Sequence, residues 1–137
     1  MEDAVIDPGP PQVLAWRVRP ASGRAEDTVL PLEAVFEVRP HSLTVTSGDD
    51  LVAMGRLPRV EFAWRHGPRL GHTPLMGEGL VLGILHDVYF DTESHLIARY
   101  DVLPSGRERH LIRVPADQTR WTGNGVWEAS AAARHLF

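Results

Sequence analysis

Two stretches of this chain, 84 positions apart, are near copies of each other. Asp3-Ala-Val-Ile-Asp7 and Asp87-Val-Tyr-Phe-Asp91 carry aspartates at the same spacing. The same offset superposes three further pairs without a gap: Val18 and Val102, Pro20 and Pro104, and Pro31 and Pro115. Solenoid repeats are shorter, roughly 20–50 residues. The period therefore predicts a small domain written twice in tandem.

Composition places the chain among ordinary globular proteins and excludes several classes of function. Of 137 residues, 43% are hydrophobic and 23% are charged, enough for one core or for two small barrels that share an interface. The net charge is −4 and the arginines lie singly among acids, which argues against nucleic acid as the principal ligand. The absence of cysteine excludes disulfides and thiolate metal sites. An acidic N-terminus and the lack of an apolar run of ~20 residues predict no signal peptide, no transmembrane segment and a cytoplasmic location.

Strand patterns dominate the sequence, and helical periodicity is nearly absent. Short segments rich in β-branched or aromatic residues predict strands at Val13–Val18, Ser42–Thr46, Leu80–Phe90, Leu96–Val102, His110–Val114 and Gly125–Ala129. The run Val81-Leu-Gly-Ile-Leu85 is apolar on both faces, which is typical of a central strand. We therefore expect an all-β protein.

Turn and bend residues recur at the equivalent places of the two copies. Asp91-Thr-Glu-Ser-His95 and Asp7-Pro-Gly-Pro-Pro11 each predict a hairpin, with Asp3 and Asp87 at the start of the repeated motif. Pro31 and Pro115 mark the exits of later strands, because proline cannot donate to a ladder. Gly79 and Gly83 predict a sharp bend or a close backbone approach.

These patterns divide the chain into three parts. Residues 1–58 form the first repeat, 59–70 an irregular linker, and 71–137 the second repeat with a C-terminal tail. The alanine-rich tail predicts a last helical turn.

The second half resembles the PRC-barrel family, which is named for the cytoplasmic domain of the photosynthetic reaction centre H subunit. The resemblance rests on Gly79–Asp91, on Leu96–Val102 and on the ending Ile112-Arg-Val-Pro115. It implies two tandem PRC-barrel-like β-barrels, the first without its N-terminal glycine-bearing strand, since Met1 aligns with Leu85. Either this barrel is incomplete, or the segment between the copies or a second subunit supplies the strand, so homodimerisation is an expectation. Members of the family serve as adaptor modules, among them the ribosome-docking half of a maturation factor, so the resemblance implies an adaptor role.

The densest cluster of metal-ligand types comprises His86, Asp87, Asp91 and His95. Its spacing argues against a metal site, because adjacent strand residues point to opposite faces and turn aspartates commonly bind backbone amides. Glu108, His110, Arg113 and Asp117 are acid–base types without a nucleophile at a recognisable spacing. We predict no catalytic residue, no metal and no cofactor.

Aromatic and charged side chains meet in Glu61-Phe-Ala-Trp-Arg-His66. Tryptophan, tyrosine and arginine concentrate at interface hot spots, so Phe62, Trp64, Arg65 and His66 are the candidate contacts of a non-catalytic adaptor that binds another protein. The alternative is a small-ligand or metal-binding barrel, enzymatic or not, that uses His86, Asp91 and His110.

Overall fold

The computed structural model describes residues 3–18, 28–32, 51–106 and 110–137, and the backbone of 35–39 and 42–45. The first half contains six strands: β1 (Asp3–Pro8), β2 (Pro11–Val18), β3 (Thr28–Pro31), β4 (Val35–Arg39), β5 (Ser42–Val45) and β6 (Val52–Ala53). A 3₁₀ turn over Met54–Arg56 leads into helix α1 (Pro58–His66). Residues 1–2, 19–27, 33–34, 40–41 and 46–50 lie outside the described residues.

The described residues of the second half form six strands and a short terminal helix. These are β7 (Pro74–Gly77), β8 (Leu80–Phe90), β9 (Ile97–Pro104), β10 (Ile112–Pro115), β11 (Thr119–Trp121), β12 (Trp127–Ala129) and α2 (Ala131–Arg134). The predicted strand Leu80–Phe90 coincides with β8, and the predicted turn in the tail is α2. Ser130 caps α2 by accepting a hydrogen bond from the Ala133 N–H at 3.1 Å.

The protein is mostly β, as predicted, and its sheets are open. One sheet has the order β1-β2-β3-β6, a second has the order β10-β9-β8-β7-β12-β11, and β4 pairs with β5 alone. The six-stranded sheet curls into a half-barrel. Within the described residues its edge strands β10 and β11 do not pair with each other, so the barrel is not closed. In this sheet β12 runs parallel to β7, which attaches the β11–β12 hairpin to the rest.

The strands β1–β3 and β8–β10 pair their residues in the same register at the offset of 84 positions. The corresponding pairs are Ala4 with Trp16 and Val88 with Tyr100 in the hairpins, and Trp16 with Leu30 and Tyr100 with Val114 in the third strands. Both hairpin ladders shift register at the same point, between Val5 and Ile6 and between Tyr89 and Phe90. A one-residue slip would turn a strand's side chains to the opposite face, so the same residue positions face inward in both halves.

The two hairpins meet at one pair of equivalent residues. Gln12 and Leu96 form an antiparallel bridge, and the Val13 N–H donates to the His95 carbonyl oxygen at 2.9 Å. Gln12 and Leu96 are themselves 84 positions apart in the sequence.

One hydrophobic core joins both halves. The first half contributes Ala4, Ile6, Val13, Trp16, Leu30 and Leu32, and the second contributes Leu75, Leu85, Val88, Ile97, Tyr100, Val102, Val114, Ala116, Trp127 and Ala133. Trp16 and Tyr100, which the repeat pairs, both lie in this core, where Trp16 contacts Phe90 and Tyr100 contacts Trp127. The halves therefore pack as one body around shared apolar side chains.

The prediction of an irregular linker over 59–70 is wrong for most of its length, because α1 occupies Pro58–His66. Proline at the first helical position, Glu61 in the first turn and basic residues in the last turn suit a helix. Its buried residues Val60, Ala63 and Trp64 join Val5, Ala15, Val29 and Met54 in a second, smaller core. The helix thus covers the face of the first sheet that points away from the shared core.

The predicted glycine positions serve two different purposes. A Cβ atom at Gly83 would collide with the Leu103 carbonyl oxygen, which confirms the predicted close approach of backbones. Gly79 lies outside β8, in the two-residue turn after β7, where Glu78 and Gly79 have φ of 52° and 78°. Central placement of β8 is confirmed, but its first residues Leu80 and Val81 are exposed.

Candidate partner-binding groove

Helix α1 presents two different faces, and the predicted contact residues divide between them. Phe62 is 67% exposed, and Arg65 and His66 are exposed as well. Trp64 is 9% exposed and packs in the smaller core. Trp64 therefore belongs to the core, because it projects toward the first sheet and away from Phe62, and its role as a partner contact stays a prediction.

The exposed face of α1 forms one wall of a groove of about 580 Å³, which we call the helix groove. Its walls are the β1–β2 turn, α1 and the β11–β12 turn, with the lining residues Asp7, Pro8, Gly9, Arg59, Phe62, Ala63, His66, Gly67, Trp121, Thr122, Gly123, Asn124 and Gly125. The Phe62 and His66 rings lie 4.7 Å apart between centroids, one helical turn from each other. The groove thus joins three segments that are distant in sequence.

Asp7 ties the first hairpin to α1 at the edge of the helix groove. Its Oδ1 accepts a hydrogen bond from the Gly9 N–H at 3.1 Å, which supports the turn. Its Oδ2 accepts from Arg59 Nε at 3.1 Å and Nη2 at 2.7 Å. Because two nitrogens of the Arg59 guanidinium donate to the same carboxylate oxygen, the wall formed by the turn is tied to the helix.

The opposite wall is the β11–β12 turn. The Gly125 N–H donates to the Thr122 carbonyl oxygen at 3.0 Å, and the Val126 N–H donates to Thr122 Oγ1 at 3.2 Å. Gly125 has φ of 77°, a conformation that favours glycine. Trp121, half-buried at the start of this turn, is the aromatic residue that faces the helix across the groove.

A second groove, of about 490 Å³, adjoins the helix groove, and we call it the aromatic groove. Pro8 and Trp121 line both. The remaining lining residues come from both halves: Pro10, Pro11, Pro68, Leu96, Ile97, Tyr100, Ala116, Asp117, Thr119, Arg120 and Trp127. Burial raises the pKa of the Tyr100 hydroxyl, so this group stays neutral. Pro8 and Trp121 thus connect the two grooves.

Asp91 makes the turn contacts that the sequence predicts, whereas Asp3 and Asp87 lie on strands. Asp91 Oδ1 accepts hydrogen bonds from the Ser94 N–H at 2.9 Å and the Glu93 N–H at 2.8 Å, and these two bonds lower the pKa of Asp91. Asp3 and Asp87 each accept from the next residue's N–H, at 3.1 and 2.8 Å. Burial raises the pKa of Asp3, with the bond from the Ala4 N–H acting in the opposite direction.

The residues of the alternative hypothesis do not converge. His86 and His110 are exposed, and Asp91 is engaged in its turn. Within the part of the chain that the structure describes, no three His, Asp or Glu side chains are grouped as a metal would require. Of the acid–base types, Arg113 is on β10 and Asp117 in the 3₁₀ turn that follows it, while Glu108 lies outside the described residues. Pro31 and Pro115 are the last residues of β3 and β10, as predicted.

Sequence reasoning found Phe62 and His66 but missed the opposite wall. The signal for that wall was local: Trp121 directly precedes Thr122-Gly-Asn-Gly125, a composition typical of a tight turn. Nothing local indicates that this turn lies beside α1, since that proximity depends on the packing of the two halves.

Comparison with known proteins adds no family assignment. No protein-family model matches the sequence, and no curated protein matches it significantly. Among the helices that the structure describes, none has the length and apolar character needed to cross a bilayer.

Proposed function

We propose that this protein is a non-catalytic adaptor that binds another protein through the helix groove. The observation that carries the proposal is Phe62, a large apolar side chain that is two-thirds exposed and lies against a groove with Trp121 on the other side. Leaving such a ring in water forgoes about 1.5–3 kcal/mol of burial energy. A partner that covers the ring would recover it.

The shape and chemistry of the helix groove suit an apolar side chain of the partner. Its volume is within the range of roughly 300–1,000 Å³ that is usual for binding clefts. Each of two opposite walls contains an aromatic ring, and polar residues of the two turns line the space between them. Aromatic anchors near the centre of an interface contribute most of the binding energy. Phe62 and Trp121 are the proposed anchors, with His66 beside Phe62. Arg65 is exposed on the same helix but lies outside the lining of this groove.

The fixed walls support a preformed site. Arg59 is held by Asp7, and the β11–β12 turn is held by Thr122, so neither wall needs to be ordered on binding. A preformed groove loses less conformational entropy when it is filled.

The proposal includes a tandem duplication of a PRC-barrel-like unit. The matching register of β1–β3 and β8–β10, with the bulge at the same point, supports this origin. The adaptor role proposed here fits the role that members of the PRC-barrel family have in common.

The first experiment compares two variants with matched exposure. Phe62 is 67% exposed and Leu80 is 68% exposed, but only Phe62 lines the helix groove. A photo-crosslinking amino acid at position 66 captures the partner from native extract, and the affinity of the purified partner is then measured. We expect Phe62→Ala and Trp121→Ala each to weaken binding about tenfold or more, and Leu80→Ala to leave it unchanged.

Equal affinities of wild type and Phe62→Ala, or an equal loss in Leu80→Ala, would contradict the proposal. Capture of a second copy of the chain would identify the partner as itself, and light scattering would then show a dimer that Phe62→Ala dissociates.

A further inference from the structure

A third cavity lies on the other side of α1, away from Phe62, and it is lined by arginines. We call it the arginine pocket. Its volume is about 660 Å³, and its chemistry comes from Gly55, Arg56, Glu61, Trp64, Arg65 and Arg69. Three of the 14 basic residues of a chain with net charge −4 therefore meet at one cavity.

The charges in the arginine pocket do not cancel. Arg65 Nη2 pairs with Glu61 Oε1 at 3.0 Å, one helical turn earlier. Within the described residues, Arg56 and Arg69 have no carboxylate at ion-pair distance, so the pocket carries two positive charges beyond the Glu61–Arg65 pair. Like charges that share a concave surface repel each other and attract an anion.

Arg69 is held in place before any ligand arrives. Its Nε donates to the Trp64 carbonyl oxygen at 3.0 Å, and its guanidinium lies 4.2 Å from the centroid of the Trp64 ring. Its backbone N–H donates to Thr73 Oγ1 at 2.8 Å. These contacts use Nε and one face of the group, and leave the terminal Nη donors without an acceptor among the described residues. A guanidinium that is already ordered binds an oxyanion at a smaller entropic cost.

We propose that the arginine pocket binds a small, multiply charged oxyanion. Guanidinium groups match the planar, paired oxygen atoms of carboxylates and phosphates. Arg56, on the exposed turn before α1, and Arg69, against Trp64, contact the anion from two sides. Glu61 opposes binding, because its carboxylate faces the same cavity and occupies Arg65.

The test titrates wild-type protein with pyrophosphate and, separately, with citrate, at constant ionic strength set by sodium chloride. Binding is measured by calorimetry and by the shift in melting temperature. We expect saturable binding at one site. Binding of pyrophosphate alone identifies a phosphate ligand, binding of citrate alone identifies a carboxylate ligand, and binding of both indicates recognition of the charge they share.

Two substitutions must act in opposite directions if the pocket is the site. We expect Arg56→Gln to weaken anion binding about tenfold, since it removes a charged hydrogen-bond donor. We expect Glu61→Gln to strengthen anion binding about threefold, because the substitution removes a negative charge and releases Arg65. Arg120→Gln, an exposed arginine on β11 that pairs with Glu128, is the matched control and leaves binding unchanged.

The proposal would be overturned by a melting shift that does not saturate, or by an effect of Arg120→Gln equal to that of Arg56→Gln. Unchanged affinity in both pocket variants, with wild-type melting curves to show that they fold, would also overturn it. This test is independent of the adaptor proposal, because Phe62 does not line the arginine pocket. Phe62→Ala should therefore bind the anion as wild type does, whatever its effect on the protein partner.

Discussion

The outer faces of the two hairpins differ although their pairing is the same. In the first half the outward positions hold Val5, Ala15 and Val29, and α1 covers them. The positions 84 residues later hold Tyr89, Arg99 and Arg113, and these side chains are exposed or half-buried. One backbone arrangement thus carries an apolar face where a helix packs and a polar face where, in the described parts of the chain, no helix packs.

The open face of the second half is organised by polar contacts. The Arg99 guanidinium lies 3.8 Å from the centroid of the Tyr89 ring, and its Nε lies 3.7 Å from Asp101 Oδ1. Asp101 is a buried charged residue, and neither its Oδ1 nor Arg99 Nε has a hydrogen-bond partner among the described residues. The comparison teaches that register decides which positions share a face, whereas the neighbouring element decides their polarity.

The largest expected effect comes from exchanging the two faces at one position. Ala15 is fully buried under α1, and the position 84 residues later holds Arg99. Ala15→Arg therefore places an arginine under the helix. We expect the free energy of unfolding to fall by about 4 kcal/mol, because the charge has no partner and α1 must move away. Urea denaturation measures this change.

The control is Arg113→Ala, at an exposed outward position of the second half. Surface substitutions of this kind change stability little, so we expect a change of about 0.5 kcal/mol or less. Equal effects of the two substitutions would show that the first face is not covered as described.

The next effect compares the two faces of α1. Trp64→Ala leaves a cavity in the smaller core, and we expect it to lower the free energy of unfolding by about 3 kcal/mol. Phe62→Ala, on the exposed face, should change stability by about 0.5 kcal/mol or less. Thermal unfolding of both variants checks the prediction, and a larger effect for Phe62 would reverse the assignment of the two faces.

The smallest expected effect is a pH dependence that has opposite signs in the two hairpins. The folded pKa of Asp91 is lowered by the N–H groups of Ser94 and Glu93, so Asp91 stabilises the protein above its usual pKa of 3.8. That stabilisation is lost as the pH falls through the lower, folded pKa. Asp91→Asn should therefore be less stable than wild type at neutral pH, with the gap closing in acid.

Asp3 provides the control of opposite sign. Burial raises its pKa above 3.8, so its ionised form is disfavoured at neutral pH. Asp3→Asn should be more stable than wild type at neutral pH, and this gain should disappear as the pH falls below 3.8. Denaturation curves recorded from about pH 7 to about pH 2.5 test both signs, and parallel curves for wild type and either variant would contradict the assignment.

Much of the β structure could be predicted from the sequence because its signals are local. Alternation, turn aspartates and the proline exits located β2, β8 and β10, and the spacing of Gly83 indicated a close backbone approach. Such features depend on a few neighbouring residues.

Helix α1 escaped prediction because its stability comes from packing. Val60, Phe62, Trp64 and His66 have modest intrinsic helix propensity, and the burial of Val60, Ala63 and Trp64 on the first sheet compensates for this. The same cause hid the opposite wall of the helix groove, since Trp121 reaches α1 only through the packing of the two halves.

The measurement that tests this account most directly is the cross-strand Hα–Hα nuclear Overhauser effect between Gln12 and Leu96. An antiparallel pair of this kind, flanked by the bond from the Val13 N–H to the His95 carbonyl, brings the two Hα atoms close together. The account predicts a strong cross-peak. Its absence, in spectra where the cross-strand contacts within both hairpins are present, would show that the hairpins do not meet about this pair and would contradict the arrangement from which both grooves follow.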